Sequence, residues 1–467
     1  MIRLISVCLL IACCTSCSEN TLNPFPPNNT SDVDFWLSRP DGSALLEKQT
    51  NSIRFAEGMK DAYTIEVDPA QTYQTVDGFG YTLTGGSAHV LSQMTEQARK
   101  TVLKEIFSSG DQGLGVSFLR ISIGASDLNA FPFTYHDGQD ATLAQFSLQQ
   151  DAELIAVLKE ILVIRPGLKI LGTPWSAPAW MKDNAQLVGG RLLPAYYSVF
   201  SQYIVKYIEA MKEQGIAIYA ITPQNEPLNE HNNPSMLMSA DEQNVLIRDH
   251  MGPLFKSKNL NTKIITYDHN CDHPEYPIHI LKDAGTRAFV AGSAFHLYAG
   301  DISCLSQVRD EAPEKEIHFT EQYTASNGNF GGDLKWHMRN VVIGALRNWS
   351  RTVLEWNFAT DARYGPFTDG GCSTCKGALT IEGDRVTRNV SYYIIGQVAK
   401  FVPPGSVRVS SNSIGNVLSV AFVTPEQKNV LLVMNDNPQE AALKVRFAGK
   451  QFNIWLASGD IATYVWK

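Results

Sequence analysis

No excess of basic residues runs through this chain: 39 Lys and Arg stand against 47 Asp and Glu, a formal charge of −8. That balance removes the electrostatic reason to expect nucleic acid or an anionic polymer as a partner. Charged side chains are only 18% of the 467 residues and hydrophobic ones are 44%, so a large core can be buried. No apolar stretch is long enough to stay in a membrane. The nearest approach is Met1-Ile2-Arg3 and the apolar run to Ala12, a short basic start and a brief apolar segment that read as an export signal. Cysteine is sparse beyond it, since four of the eight fall within residues 1–17 and leave Cys271, Cys304, Cys372 and Cys375. Cys372-Ser-Thr-Cys375 has no second CxxC and no thioredoxin-like βαβ pattern around it. A small loop disulfide, or two idle thiols, fits better than zinc or redox chemistry. Asp268-His269-Asn270-Cys271-Asp272-His273 also looks ligand-rich, but its members crowd one strand end without the spacing of a metal site. No metal or organic cofactor is expected.

The leader contains more than an export signal. Leu10-Ile11-Ala12-Cys13 and Cys14-Thr15-Ser16-Cys17 resemble the lipobox of bacterial lipoproteins, in which the cysteine is lipidated and becomes the mature N-terminus. Ser18-Glu19-Asn20 favours Cys17 over Cys13, because it is similar to the acidic start of lipoproteins carried to the surface in some Gram-negative bacteria. The expectation is a signal peptide over 1–17, a flexible tether over 18–33 rich in Asn, Pro, Ser and Thr, and an exported outer-membrane or cell-surface protein. Membrane contact would come only through the lipid. The alternative is a signal cut elsewhere that frees a soluble, periplasmic protein.

Short polar-rich segments from 34 to 74 read as strands, including Ser52–Phe55 and Tyr63–Val67. An alternation of strand and helix then begins. Apolar runs that start near residues 76, 116, 169, 217, 263, 289, 316 and 352 are separated by amphipathic stretches such as 96–107, 150–164, 195–214 and 334–349. Eight such units are the period of a (β/α)8 TIM barrel over 75–402, with a doubly wound open sheet as the weaker alternative. After Pro403-Pro404-Gly405 the pattern changes to period two, through 417–423, 429–435, 442–447, 452–456 and 461–466. Those strands need a partner sheet to cover their apolar face. The fold class is thus α/β, a barrel beside a β-sandwich built from both ends of the chain, 34–74 and 403–467.

Polar residues at strand ends carry the chemistry in such barrels. Ile221-Thr222-Pro223-Gln224-Asn225-Glu226-Pro227 closes the fourth strand, and Phe319-Thr320-Glu321 closes the seventh. Glu226 alone could be a helix-capping residue. Paired with Glu321 across a barrel mouth at about 5–5.5 Å, it becomes half of a retaining glycosidase couple, one carboxyl protonating the leaving oxygen and the other attacking the anomeric carbon.

These motifs resemble those of glycoside hydrolase family 30, the group that includes lysosomal glucosylceramidase and β-1,6-glucanases. Thr173-Pro174-Trp175-Ser176-Ala177-Pro178-Ala179-Trp180-Met181-Lys182 is similar to the family's strand-three motif, and Thr222–Pro227 to its strand-four motif. The resemblance implies Glu226 as acid/base and Glu321 as nucleophile. It also implies that Arg120, Asp127, Trp175, Asn225, His296, Tyr298 and Trp356 line the sugar subsite. Each has a physical role available. Asn225 can bond the sugar 2-hydroxyl, Arg120 can hold Glu321 ionised by charge pairing, Asp127 can accept from sugar hydroxyls, and Trp175 and Trp356 offer flat apolar faces. Arg120 and His296 could instead be structural. Leu228–Met236 and Gly370–Gly377 are more similar to the glucanase branch, so a β-linked glucan or glucoside is the expected partner. The alternatives are a catalytically silent glycan-binding lipoprotein, or the same chemistry on glucosylceramide, xylan or a fucoside.

Overall fold

The computed structural model describes residues 31–58, 61 and 63–467. The lipobox cysteines Cys13 and Cys17 and most of the tether lie outside these residues. The polar-rich N-terminal segments form β1 (Val33–Ser38), β2 (Glu47–Lys48), β3 (Ala56–Glu57) and β4 (Thr64–Thr75). Ordered pairing starts before the expected boundary at 34, because the Ser31 hydroxyl donates to the Val33 and Ile53 carbonyls.

The barrel strands follow: β5 (Gly78–Thr82), β6 (Phe118–Ser122), β7 (Lys169–Thr173), β8 (Ala220–Ile221), β9 (Lys263–Cys271), β10 (Val290–Gly300) and β11 (Glu316–Glu321). After a short β12 (Thr324–Ala325), β13 (Ser350–Asn357) completes the set. The eight close in the order β10-β11-β13-β5-β6-β7-β8-β9, and every neighbouring pair is parallel. Strand β8 is shorter than the apolar run 217–222 suggested. Its flanks still follow the ladder, since Tyr219 N–H bonds the Ile170 carbonyl and Thr222 N–H bonds the Gly172 carbonyl.

Inside the barrel the side chains are layered. Phe118, Leu171, Ala220, Ile265, Ala294 and Leu354, each from a different strand, form an apolar middle. Below it Asp77 and Glu316 are ion-paired with Lys169, Lys263 and Arg351. This plug closes the N-terminal end, so the open end is the C-terminal mouth.

Helices Glu96–Phe107, Ala152–Ile164 and Tyr197–Glu213 match the amphipathic stretches. Leu246–Met251 and His337–Ile343 are π-helical insertions within longer helices, a deviation that periodicity does not reveal. Among the described residues no helix is long and apolar enough to cross a membrane.

Beyond β13 the excursion over the mouth contains β14 (Ala359–Thr360), β15 (Cys375–Lys376), β16 (Leu379–Glu382) and β17 (Arg385–Arg388). β15 pairs with β12. The C-terminal strands are β18 (Val407–Ser411), β19 (Val417–Val423), β20 (Asn429–Asn435), β21 (Ala441–Phe447), β22 (Lys450–Leu456) and β23 (Ile461–Trp466). β18 was not expected from the period-two pattern, since Val407-Arg-Val-Ser-Ser offers only two apolar residues. With β1 to β4 these strands form one ten-stranded sheet, β2-β1-β23-β20-β19-β18-β4-β21-β22-β3. Phe452 of β22 packs on Tyr464 and Trp466 of β23, although the two strands are far apart in that order. The sheet therefore folds over into two faces around a core that includes Val33, Ile65, Val67, Val445 and Leu431.

Candidate active site

At the barrel mouth an open cavity of about 430 Å³ is lined by Asp127, Trp175, Glu226, Tyr298, Glu321 and Trp356 among others. Six of the nine residues singled out at barrel strand ends thus share one surface. The other three, Arg120, Asn225 and His296, are not among its lining residues: Arg120 and His296 are fully buried, and Asn225 keeps a small exposed surface beside Glu226.

Arg120 projects from β6 and lies 4.9 Å from the centre of the Trp175 ring and 5.8 Å from that of Trp356. The two indoles pack on each other at 5.5 Å. The guanidinium donates from one nitrogen to Glu321 Oε2 at 2.5 Å, and from another to Asn225 Oδ1 at 2.5 Å and Asp268 Oδ2 at 2.9 Å. Burial works against its charge, but Asp268 and Glu321 hold its pKa above the usual arginine value. Glu321 Oε1 also accepts from the Tyr298 hydroxyl at 2.9 Å.

Glu226 sits where β8 gives way to loop, with φ +44°, a left-handed conformation that costs a non-glycine residue energy unless its surroundings fix it. They do. Its N–H donates to the Asp268 carbonyl at 3.0 Å, the N–H of Asn225 to that of Pro174 at 2.8 Å, and its own carbonyl accepts from Asn229 N–H at 2.8 Å. Its side chain meets His296 Nδ1 at 3.0 Å through Oε1, and Asn229 Nδ2 at 2.8 Å through Oε2. A carboxylate oxygen of Glu226 and one of Glu321 lie within 4.8 Å of each other and of a His296 ring nitrogen.

The charges are unequal in their settings. Burial pushes the Glu226 carboxyl up, but the hydrogen bond and positive charge of His296 override this and bring it down to about 2. For Glu321 burial prevails over His296 and Arg120, and its pKa stays above the ordinary glutamate value. Burial opposes the charge on His296, yet Glu321, Asp268 and Glu226 raise it to about 9. Asp127 is pushed up to about 7, chiefly by burial and then by the neighbouring charge of Glu321. The sequence suggested an ionised Glu321 facing a protonated Glu226. The shifts point away from that assignment: His296 favours the ionised form of Glu226, whereas burial outweighs the direct contact with Arg120 at Glu321.

Cys372 and Cys375 form a disulfide. It packs with Leu128, Trp175, Trp356 and Tyr323, and the Cys372 N–H lies 3.4 Å from Asp127 Oδ2, so the crosslink is part of the cavity wall. The crowded segment from Asp268 to His273 is divided by the fold. Asp268 is buried under the site, His269 and Asn270 line the cavity, Cys271 is buried with a free thiol, and His273 pairs with Glu275. Two groups among the described residues bring three ligand-type atoms within cation-binding distance, Asp77 with Glu316 and His318, and Glu226 with His296 and Glu321. In each, cationic side chains already occupy carboxylate oxygens.

Sequence reasoning did not single out Asn229, Asn232, His269 or Tyr323 as site residues, although all line the cavity. Asn229, Asn232 and Tyr323 lie on loops with no apolar period, just after a barrel strand, whereas His269 lies within β9 in the polar run that looked ligand-rich.

A carboxylate pair at the C-terminal mouth of a parallel barrel, flanked by two indoles and a buried arginine, is an arrangement that suits glycoside hydrolysis. Comparison with known proteins agrees. Residues 76–402 match the model of the glycosyl hydrolase family 30 TIM-barrel domain, and residues 405–464 that of the family 30 beta sandwich domain. The chain belongs to glycoside hydrolase family 30. It is 34% identical over 446 residues to an endo-1,6-beta-D-glucanase of Neurospora crassa, covering 90% of this chain and 91% of that one. An endo-1,6-beta-D-glucanase of Aspergillus fumigatus is 32% identical over 445 residues, 87% and 88% of the two chains. The solved structure of the endo-beta1,6-glucanase BT3312 superposes with a TM-score of 0.88 at 33% identity, over 94% of this chain and 99% of that one.

Proposed function

We propose that this glycoside hydrolase is an endo-β-1,6-glucanase that retains anomeric configuration, with Glu321 as nucleophile and Glu226 as acid/base. The observation that carries the mechanism is the approach of the two carboxylates within 4.8 Å. An oxygen–oxygen approach of that size supports the short, retaining class, about 5–5.5 Å between carboxyl groups, over the about 6.5–9.5 Å of an inverting pair. Glu321 attacks the anomeric carbon while Glu226 passes a proton to the departing oxygen. Water then gives a proton to Glu226 and attacks the anomeric carbon from the face that the leaving group vacated, breaking its covalent bond to Glu321 on the opposite face. Arg120 and Tyr298 aim the nucleophile through two hydrogen bonds. Asp127 accepts from sugar hydroxyls, Trp175 and Trp356 pack on the ring, and Asn225, held by Arg120, presents its amide to the 2-hydroxyl. The likeness to three proteins named as endo-β-1,6-glucanases supports the choice of glucan.

Product analysis on linkage-defined glucans, xylan and glucosylceramide tests the reading. Short β-1,6-linked oligosaccharides, released first as the β anomer in proton NMR, are expected. Initial α anomer, preferred cleavage of another substrate, or binding without turnover of any glycan would overturn it.

We also propose export and attachment to the outer membrane or cell surface through a lipidated Cys17, supported by the lipobox and by the polar segment after it. Labelled fatty acid should be incorporated by the wild-type chain and lost in Cys17→Ala. Incorporation that persists in Cys17→Ala and disappears in Cys13→Ala would move the anchor.

A further inference from the structure

One buried group touches the partners of both glutamates without touching the cavity. Asp268, near the end of β9, is fully buried and does not line the cavity. Its Oδ1 accepts from the Thr320 hydroxyl at 2.7 Å and meets His296 Nε2 at 3.1 Å. Its Oδ2 accepts from Arg120 at 2.9 Å, from the Thr222 hydroxyl at 2.8 Å and from the Thr173 hydroxyl at 3.0 Å. Those five partners come from or directly follow β11, β10, β6, β8 and β7, so with its own strand six of the eight staves meet at one carboxylate. Its carbonyl takes the Glu226 N–H. Tyr267 and Asp268 both have positive φ, +76° and +66°, a strain that persists only where surrounding contacts hold it.

We propose that Asp268 is the positioning residue of this site, aiming Arg120 at Glu321 and His296 at Glu226, so that the two catalytic carboxylates are aligned by one shared anchor. This rests on the assignment of Glu226 and Glu321 given above. A carboxylate with five donors around it is fixed in place, and each donor becomes fixed in turn. Arg120 then presents its other terminal nitrogen to Glu321, while the nitrogen bound to Asp268 also donates to Asn225, and His296 presents its remaining nitrogen to Glu226. Neutralising Asp268 leaves Arg120 and His296 short of a counter-charge in a site that also holds Glu226, Glu321, Asp127, Tyr298 and His269. Both cations would then be drawn toward whichever glutamate is ionised.

The test uses the full chain as wild type, Asp268→Asn and Thr320→Val, the last removing one donor to Asp268 and leaving the carboxylate. Steady-state kinetics are measured from pH 4 to 9 on β-1,6-glucan and on an aryl β-glucoside with an activated leaving group, and a crystal structure of Asp268→Asn is determined. By analogy with the carboxylate that orients a catalytic histidine, kcat should fall on the order of 100-fold or more in Asp268→Asn, with KM changed by less than about threefold, since what is lost is made in the transition state. The loss should persist on the activated glucoside, because the nucleophile is misaligned as well as the acid. The alkaline limb of kcat/KM should move to lower pH, since His296 loses its counter-ion and the proton it shares with Glu226 leaves sooner. Thr320→Val should move in the same direction by less. A merely structural Asp268 would lower the melting temperature and leave the limb and the activated-substrate rate untouched, and that result overturns the proposal. So does a crystal structure of Asp268→Asn with the Arg120 to Glu321 and His296 to Glu226 contacts intact. If the wild type turned over no glycan the assigned function would fail, and that crystal structure would still decide the positioning role.

Discussion

Asp127→Asn should make the protein more stable and less active, and the stability gain should depend on pH in a defined sense. Asp127 is 6% exposed, its carboxylate takes a long contact from Cys372 N–H, and it shares the cavity with Glu226 and Glu321. Its proton leaves at about 7 in the folded protein against an ordinary 3.8. Between those values the folded chain binds more protons than the unfolded one, so this group lowers stability as pH rises from about 4 to about 7 and adds no further change above. At 1.36 kcal/mol per pH unit the penalty reaches about 4 kcal/mol, roughly a thousandfold in the unfolding equilibrium. Asparagine has nearly the same shape and no titration, so the stability difference between variant and wild type isolates this one group. Urea denaturation from pH 4 to 8.5 should give near-coincident midpoints at pH 4 and a variant that is more stable at pH 8. Activity should change the other way. One charge-assisted hydrogen bond to the sugar is worth about 1.5–3 kcal/mol, so kcat/KM should fall roughly 10- to 150-fold. A variant less stable at pH 8, or a difference that does not vary with pH, would refute the claim that burial and like charge dominate at this position.

The remaining expectations concern the chemistry and its frame. Glu321→Gln should abolish turnover of every substrate, by on the order of 10⁴-fold or more, and retention of even a tenth of wild-type kcat would remove it as nucleophile. Glu226→Gln should be inactive on glucan but should still release aglycone in a burst from an aryl glucoside whose leaving group needs no proton; equal losses on both substrates would count against an acid/base role. Replacing Cys372 and Cys375 together by serine should raise KM more than it lowers kcat, because the disulfide backs Trp175 and Trp356 and borders Asp127. Unchanged KM on glucan would show that the wall holds without the crosslink.

Regular spacing made the barrel legible. Each apolar run is buried on both faces, as in β6 and β11, so it reads as a short continuous block, and the helices between them keep their period. What could not be read is how the tail and head strands interleave. β4 pairs with β18 on one side and, in parallel, with β21 on the other, a register decided by contacts between residues more than 300 positions apart. The π-helical turn at Leu246–Met251 escaped for a related reason, since it preserves helical composition and alters only hydrogen-bond geometry.

At the site, Glu226 and Glu321 stood out because each closes an apolar strand with a carboxylate, and the fold brings the two to one cavity. Asp268 was present in the same kind of position, yet it stood in a run of six polar or ligating residues that hid it. Only the fold separates that run, turning Asp268 down among three threonines while His269 faces the cavity. Protonation is a step further from sequence. An acid/base residue needs its proton in the first half of the reaction and must lack it in the second. The hydrogen bond to His296 at 3.0 Å favours the ionised form of Glu226, and Glu321, Asp268 and Glu226 in turn favour the charged imidazole. The proton needed at Glu226 therefore lies one hydrogen bond away on His296 Nδ1. The protonation of Glu226 thus depends on its distances to His296, Asp268 and Glu321, which meet from four strand ends that no single stretch of sequence encodes.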